Sequence, residues 1–148
     1  MRSSPVYGFK MKDQAFTNKQ RRRILICDDE SRTRDALKAL LLARELAQDA
    51  ETSPVIQVIG EARDGKEAIR LMDQYQTEVV VLDACILGMS GVETTRLIKK
   101  KWPSVKVVML TMYSEQRQAA LDAGVDIFLN KGCLAEKLFD AILNEYQN

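Results

Sequence analysis

Histidine is absent from this chain. That excludes Ser-His-Asp and Cys-His catalysis and His-ligated zinc, and the chain has no phosphohistidine to offer. The three cysteines, Cys27, Cys85 and Cys133, form no CxxC pair and are odd in number, so a disulfide framework is not expected and a reducing, cytoplasmic setting fits. No apolar run approaches the roughly 20 residues that span a bilayer, and the N-terminus lacks the apolar segment of a secretory signal. Prolines number three and aromatics make up 6% of the chain. What remains is an ordinary globular composition, 46% hydrophobic and 29% charged, at a length that suits one domain.

Charge is unevenly spread. Residues 1–23 carry seven Lys or Arg against one acid, Asp13, and the rest of the chain has an acidic excess. Residues 1–21 are therefore read as a basic N-terminal extension, and 22–148 as the folded domain. Few apolar groups in the extension could be buried, so deleting residues 1–20 is expected to leave stability nearly unchanged. A mildly acidic body is a poor binder of nucleic acid by itself.

The organising stretch is Val79 to Gly91. Four apolar residues run into Asp83, and a loop containing Gly88 and Gly91 follows. A continuous apolar run ended by turn residues predicts a strand buried on both faces, as in a parallel sheet. Ligands of such sheets gather at the carboxyl ends of the strands, although an Asp there also serves simply to start a turn or cap a helix. The same pattern recurs. Strands are expected at 23–27, 55–59, 78–83, 105–111 and 126–130, each followed by a helix. Ser31 is read as the first N-cap, and Leu37, Leu40, Leu41 and Ala47 as the first helical stripe. In the second helix Ala68, Ile69 and Met72 should face inward, and in the third Val92, Thr95 and Ile98. Lys99, Lys100 and Lys101 suit the negative end of that helix dipole. Ser114 should cap the fourth helix, Gly124 should close it, and Leu134, Leu138, Ala141 and Ile142 should stripe the fifth. Five strands alternating with five helices predict a doubly wound α/β sandwich.

Strand ends then supply Asp28 and Asp29, Asp83, Thr111 and Lys131, all on one edge of such a sheet. Three neighbouring carboxylates prefer a cation to mutual repulsion. Oxygen-only ligation suits Mg²⁺, which keeps waters and accepts phosphate oxygens. Lys131 adds charge and Thr111 a hydroxyl, so the set fits a phosphoryl group, and the nucleophile has to be a carboxylate.

In these residues and their order, the chain resembles the receiver domain of bacterial two-component response regulators, the CheY-like family, over about residues 22–146. The resemblance implies a flavodoxin-like (βα)5 sandwich with parallel strand order 2-1-3-4-5. It implies that Asp83 accepts a phosphoryl group from a sensor histidine kinase. Asp29 and Asp83 would bind Mg²⁺ directly, Asp28 mostly through water, and the backbone carbonyl of Cys85 would be a further ligand. Thr111 and Lys131 would sense the phosphoryl group and Phe128 would be the aromatic switch. Cys85 and Tyr113, two residues beyond Asp83 and Thr111, would tune phosphate loss.

The chain would be a signalling switch with self-catalysed phosphotransfer, not an enzyme. Its partners would be the kinase and a second copy bound through the fourth helix, fifth strand and fifth helix. Neither membrane nor direct DNA binding is expected of it alone. Ile86-Leu87 and Ser90 depart from the family pattern without touching chemistry, and Gly132 replaces the proline that often follows the lysine, so a trans bond is expected there. Leu-Thr-Met-Tyr and Leu-Asn-Lys-Gly are similar to the subgroup of LuxR- and NarL-type regulators, so the chain is read either as acting alone or as the isolated receiver of a DNA-binding transcription regulator. Two other readings are an Asp-nucleophile phosphatase, which wants an acid where Cys85 stands, and a pseudo-receiver that only binds partners, which would lack an Asp, Thr or Lys that is here present.

Overall fold

The computed structural model describes residues 21–47, 54–86 and 88–144. Strand β1 is Arg21–Cys27, β2 Val55–Ala62, β3 Val79–Asp83, β4 Lys106–Thr111 and β5 Ile127–Asn130. Helix α1 is Ser31–Ala47, α2 Gly65–Gln74, α3 Gly91–Lys101, α4 Arg117–Ala123 and α5 Ala135–Leu143. The strands are all parallel, in the order β2-β1-β3-β4-β5. This is the expected flavodoxin-like topology. The expected extension up to residue 20, the breaker at Asp49–Ser53 and Leu87 lie outside the described residues.

Alternation along the strands builds two cores. Leu25, Cys27, Val80, Leu82, Val107 and Met109 pack with Ala68, Met72, Ile98 and Ala120 of α2, α3 and α4. Ile24, Ile26, Val79, Val81, Val108 and Leu110 pack on the other face with Leu41 of α1 and Leu138, Ala141 and Ile142 of α5. Every residue of β3 is buried, so this strand is the axis of both layers. Full burial of each Val, Leu or Ile contributes about 1.5–3 kcal/mol, which is why the apolar runs decide where strands lie.

Several local expectations are corrected. The first strand starts at Arg21, two residues before the expected start at Arg23, so Arg21–Arg23 all belong to the sheet. Their backbone pairs with Val55–Gln57, and the Arg23 amide donates to Glu78 Oε2 at 2.9 Å. Strand β2 runs three residues past Ile59. Ile24 pairs with Val58 but Leu25 with Gly60, so Ile59 is accommodated as a bulge and Glu61 and Ala62 still reach Ile26 and Cys27. Ala47 is exposed rather than on the buried stripe of α1. Ser31 is the first helical residue, and the carbonyl of Glu30 accepts from Arg34 N, so the cap falls one residue earlier. Ser114 makes no capping bond. It opens a 3-10 turn, Ser114–Gln116, that leads into α4. Ala119 faces solvent while Ala120 and Ala123 are buried. Leu134 is 70% exposed and precedes α5 instead of packing under it.

The caps that hold the site-bearing loops are well made. Ser90 Oγ accepts from Glu93 N at 3.1 Å at the start of α3, and Asp64 Oδ1 from Glu67 N at 2.9 Å at the start of α2. Gly124 ends α4 with φ 107°, a left-handed residue as expected.

Candidate functional site

The strands are parallel, so their carboxyl ends share one edge. Asp28 follows β1, Asp83 ends β3, Thr111 ends β4 and Lys131 follows β5. The backbone orders this edge beyond the strands. Asp28 N donates to Ala62 O at 3.0 Å and Lys131 N to Thr111 O at 2.9 Å, so the last two residues are set side by side.

Lys131 is the hub. Its Nζ lies 3.0 Å from Asp28 Oδ2 and 3.0 Å from Asp83 Oδ2. Asp28 and Asp83 are only 2% and 8% exposed, so both carboxylates have left most of their water behind. Their remaining oxygens are also held. Asp28 Oδ1 accepts from Glu30 N at 2.9 Å and Asp83 Oδ1 from Cys85 N at 3.2 Å. Asp29 is half-buried beside them, and one carboxylate oxygen from each of Asp28, Asp29 and Asp83 lies within 4.8 Å of the others.

Burial pushes the Asp83 carboxyl above its ordinary value. The Cys85 amide and the Lys131 ammonium pull it back, and the Asp28 charge pushes it up further. For Lys131, burial works against the ammonium, but its hydrogen bonds to Asp28 and Asp83 outweigh that and hold its pKa above the ordinary value. Ion pairing alone would lower the acid as it raises the base. Both lie high here because desolvation and the second carboxylate act on Asp83 at once.

The donor set is oxygen-only and carries three negative charges against one ammonium. That fits a small hard cation such as Mg²⁺ and gives it a reason to bind, since it would relieve carboxylate repulsion. Thr111 is 1% exposed, and its Oγ1 accepts from Tyr113 N at 3.1 Å. Tyr113 is 53% exposed and the Cys85 side chain is exposed as well, so both stand at the rim. Phe128 lies apart from the cluster. It is half-buried on the α2–α4 side of the sheet, and the Arg117 guanidinium lies 5.8 Å from its ring centre. No peptide bond among the described residues is cis, so Lys131–Gly132 is trans.

Reasoning from sequence missed several supports. Arg34 of α1 donates from Nη1 to Asp28 O at 2.7 Å and from Nε to Glu61 Oε1 at 3.0 Å, bracing the acidic turn against β2. Asn130 Oδ1 accepts from Gly132 N at 2.7 Å and shapes the turn that presents Lys131. Gln116 Nε2 donates to Cys85 Sγ at 3.4 Å, linking the 3-10 turn to the loop after Asp83. Gly91 is also required. A Cβ there would lie 2.5 Å from Asp83 O and 2.7 Å from Ala84 Cα, so α3 can start this close to the acid only without a side chain. Arg34 and Gln116 carry no periodic or motif signal. Gly91 could have been found as the glycine of a tight strand-to-helix turn.

The parallel doubly wound sheet, with three carboxylates and a lysine at one edge, places the chain in the flavodoxin-like α/β class. Residues 24–143 match the response regulator receiver domain family, and the chain belongs to it. It is 34% identical over 128 residues to the response regulator protein VraR of Staphylococcus saprophyticus, covering 85% of this chain and 57% of that protein. To VraR of Staphylococcus aureus strain Mu3 it is 34% identical over 122 residues, covering 81% and 54%. The chain thus spans little more than half the length of these relatives. Among solved structures, a LuxR-family two-component response regulator from Aurantimonas sp. SI85-9A1 is 29% identical, with a TM-score of 0.69, covering 81% of each chain. A LuxR-family DNA-binding response regulator from Staphylococcus aureus is 25% identical, with a TM-score of 0.68, covering 82% of this chain and 95% of that one. No helix among the described residues is long and apolar enough to cross a membrane.

Proposed function

We propose that this receiver domain takes a phosphoryl group from a sensor histidine kinase onto Asp83, in the cytoplasm, and changes an output surface in response. The observation that carries this reading is the Lys131 ammonium, 3.0 Å from both Asp28 and Asp83 with Asp29 in the same cluster. Such an arrangement holds an oxygen nucleophile, a fixed cation and a metal-ligand set within one site.

Both Asp83 oxygens are held, so the carboxylate plane is fixed before a donor arrives, and positioning of this kind lowers the entropic part of the barrier. An Asp83 oxygen forms its bond to phosphorus as the bond from phosphorus to the donor nitrogen breaks, and that electron pair leaves with the nitrogen. With no histidine in the chain, the donor lies outside it. Lys131 then pairs with the phosphoryl oxygens, and the Thr111 hydroxyl supplies a hydrogen bond. Asp29, Asp83 and the Cys85 carbonyl, with Asp28 through water, would hold Mg²⁺, whose charge would neutralise the incoming phosphoryl oxygens. Water later cleaves the acyl phosphate, and Tyr113 and Cys85 at the rim tune that rate. Tyr113→Ala shortens the phosphoaspartate lifetime on this account, and an unchanged lifetime removes the shielding role.

The output face is α4, β5 and α5, read by a partner or a second copy, and the similarity to LuxR-family response regulators supports a link to transcription control. The test is acetyl phosphate with Mg²⁺ and intact mass. The wild-type chain should gain one phosphoryl group, Asp83→Asn none, and Asp29→Asn none at the same Mg²⁺ concentration. Equal labelling of Asp83→Asn would overturn the assignment.

A further inference from the structure

Helices α2 and α3 run side by side on the face away from α1 and α5. Gly65 of α2 faces Thr94 of α3. A Cβ on Gly65 would lie 2.2 Å from Thr94 Oγ1. At their other ends Lys101 Nζ bonds Asp73 Oδ1 at 2.5 Å. Between these two ties lies a groove of about 430 Å³ lined by Ile69, Leu97, Lys100 and Lys101. Leu97 is 44% exposed, and Ile69 is half-buried.

The rim is cationic. Lys66 and Arg70 share the exposed stripe of α2 with Ile69, and Arg96 and Lys100 flank Leu97 on α3. All four are exposed, and none makes an ion pair or hydrogen bond to the described residues. Glu93 is the exposed acid of α3, and Asp73 is already taken by Lys101. An aliphatic floor with unpaired cations on both walls is a surface of defined chemistry in a domain whose body is otherwise acidic.

We infer that the α2–α3 groove docks an acidic protein segment that lays an aliphatic side chain between Ile69 and Leu97 and pairs its carboxylates with Lys66, Arg70, Arg96 and Lys100. Charge complementarity selects the occupant. A second copy joined face to face would set like charges against each other, because a two-fold contact pairs a surface with itself. The basic N-terminal extension carries the same sign as the rim and is excluded for the same reason. Nucleic acid offers no aliphatic group for the floor, and no aromatic side chain lines the groove to stack a base. An anionic membrane takes up protruding apolar wedges, whereas this feature is concave. The inference does not depend on phosphorylation of Asp83.

The test uses the full chain and a synthetic helical peptide with a central leucine pair flanked by glutamates, followed by fluorescence anisotropy and by amide chemical shifts. Binding should weaken steeply with salt, and the shifts should fall on α2 and α3. Leu97→Ser should weaken binding about tenfold, and Arg70→Glu with Lys100→Glu more than that. Both changes are on the surface and leave the extension intact, so binding to the extension is separated from binding in the groove. Any of three results would overturn the inference: affinity unchanged in Leu97→Ser, shifts confined elsewhere, or stronger capture by duplex DNA or phosphatidylserine vesicles than by the peptide.

Discussion

Replacing Asp83 by Asn should stabilise the metal-free fold, although it removes half of the Lys131 ion pairing. Asp83 has one strong attraction, to Lys131 Nζ at 3.0 Å, and two repulsions, from Asp28 and Asp29 within 4.8 Å. At an effective dielectric near 20 the attraction is about 5–6 kcal/mol, and each repulsion is at least about 3–4 kcal/mol. The repulsions together exceed the attraction by roughly 1–2 kcal/mol. Asn keeps one acceptor oxygen where the carboxylate used two, and losing one hydrogen bond returns about 0.5–1.5 kcal/mol. Relief from burying a charge adds to the gain.

The expected net is about 1 kcal/mol of added stability, a rise in Tm of about 2–4 °C for a domain of this size. The pKa direction agrees. A carboxyl whose folded value lies above its ordinary 3.8 binds protons more tightly folded than unfolded, so it costs stability as pH rises through that window. The gap between variant and wild type should therefore close as pH falls through the raised value toward 3.8. Thermal melts in EDTA from neutral to acid pH measure this. Added Mg²⁺ should raise the wild type more than the variant, since the wild type offers the fuller ligand set. A lower Tm for Asp83→Asn in EDTA at neutral pH would refute this balance of charges.

Other expectations follow from the same geometry. The Cys27 thiol is pushed up by burial and by the acids Asp64, Asp28 and Asp83, whereas Cys85 is exposed, so a thiol reagent at neutral pH should modify Cys85 first and Cys27 only on unfolding. Gly91→Ala should cost about 2 kcal/mol or more and lower phosphorylation, because the new methyl meets the backbone of Asp83 and Ala84 and nothing flexible can yield; unchanged Tm would show that the loop adapts. Helix α4 is held through Ala120 and Ala123, whose small area makes it the easiest helix to shift, and Arg117 covers the outer side of Phe128. Phe128→Ala should still label with acetyl phosphate but lose the phosphorylation-dependent gain in self-association, measured by sedimentation; an unaltered gain would make Phe128 a packing residue alone.

The sheet was legible because burial on both faces writes strands as continuous apolar runs. Such a run stops where the chain meets water, so its first polar residue is also the residue at the strand's end. That is why Asp28, Asp83 and Thr111, and Lys131 one residue past Asn130, could be collected before any geometry was known. The first strand was shortened by the same logic: Arg21 and Arg22 lie outside the strand expected from Arg23, yet the backbone of all three pairs with β2 while Arg22 and Arg23 tie to Glu78. The expected second strand ends at Ile59, but a bulge there absorbs one residue and lets β2 continue to Ala62. Without that extension Asp28 N would lack its bond to Ala62 O, and Glu61 would not stand where Arg34 and Lys38 reach it. These supports join residues far apart in sequence through single polar contacts, which leave no periodicity. The acids of the site are thus written locally, while the angle at which they are held is set by a bulge and an arginine that only the folded sheet brings beside them.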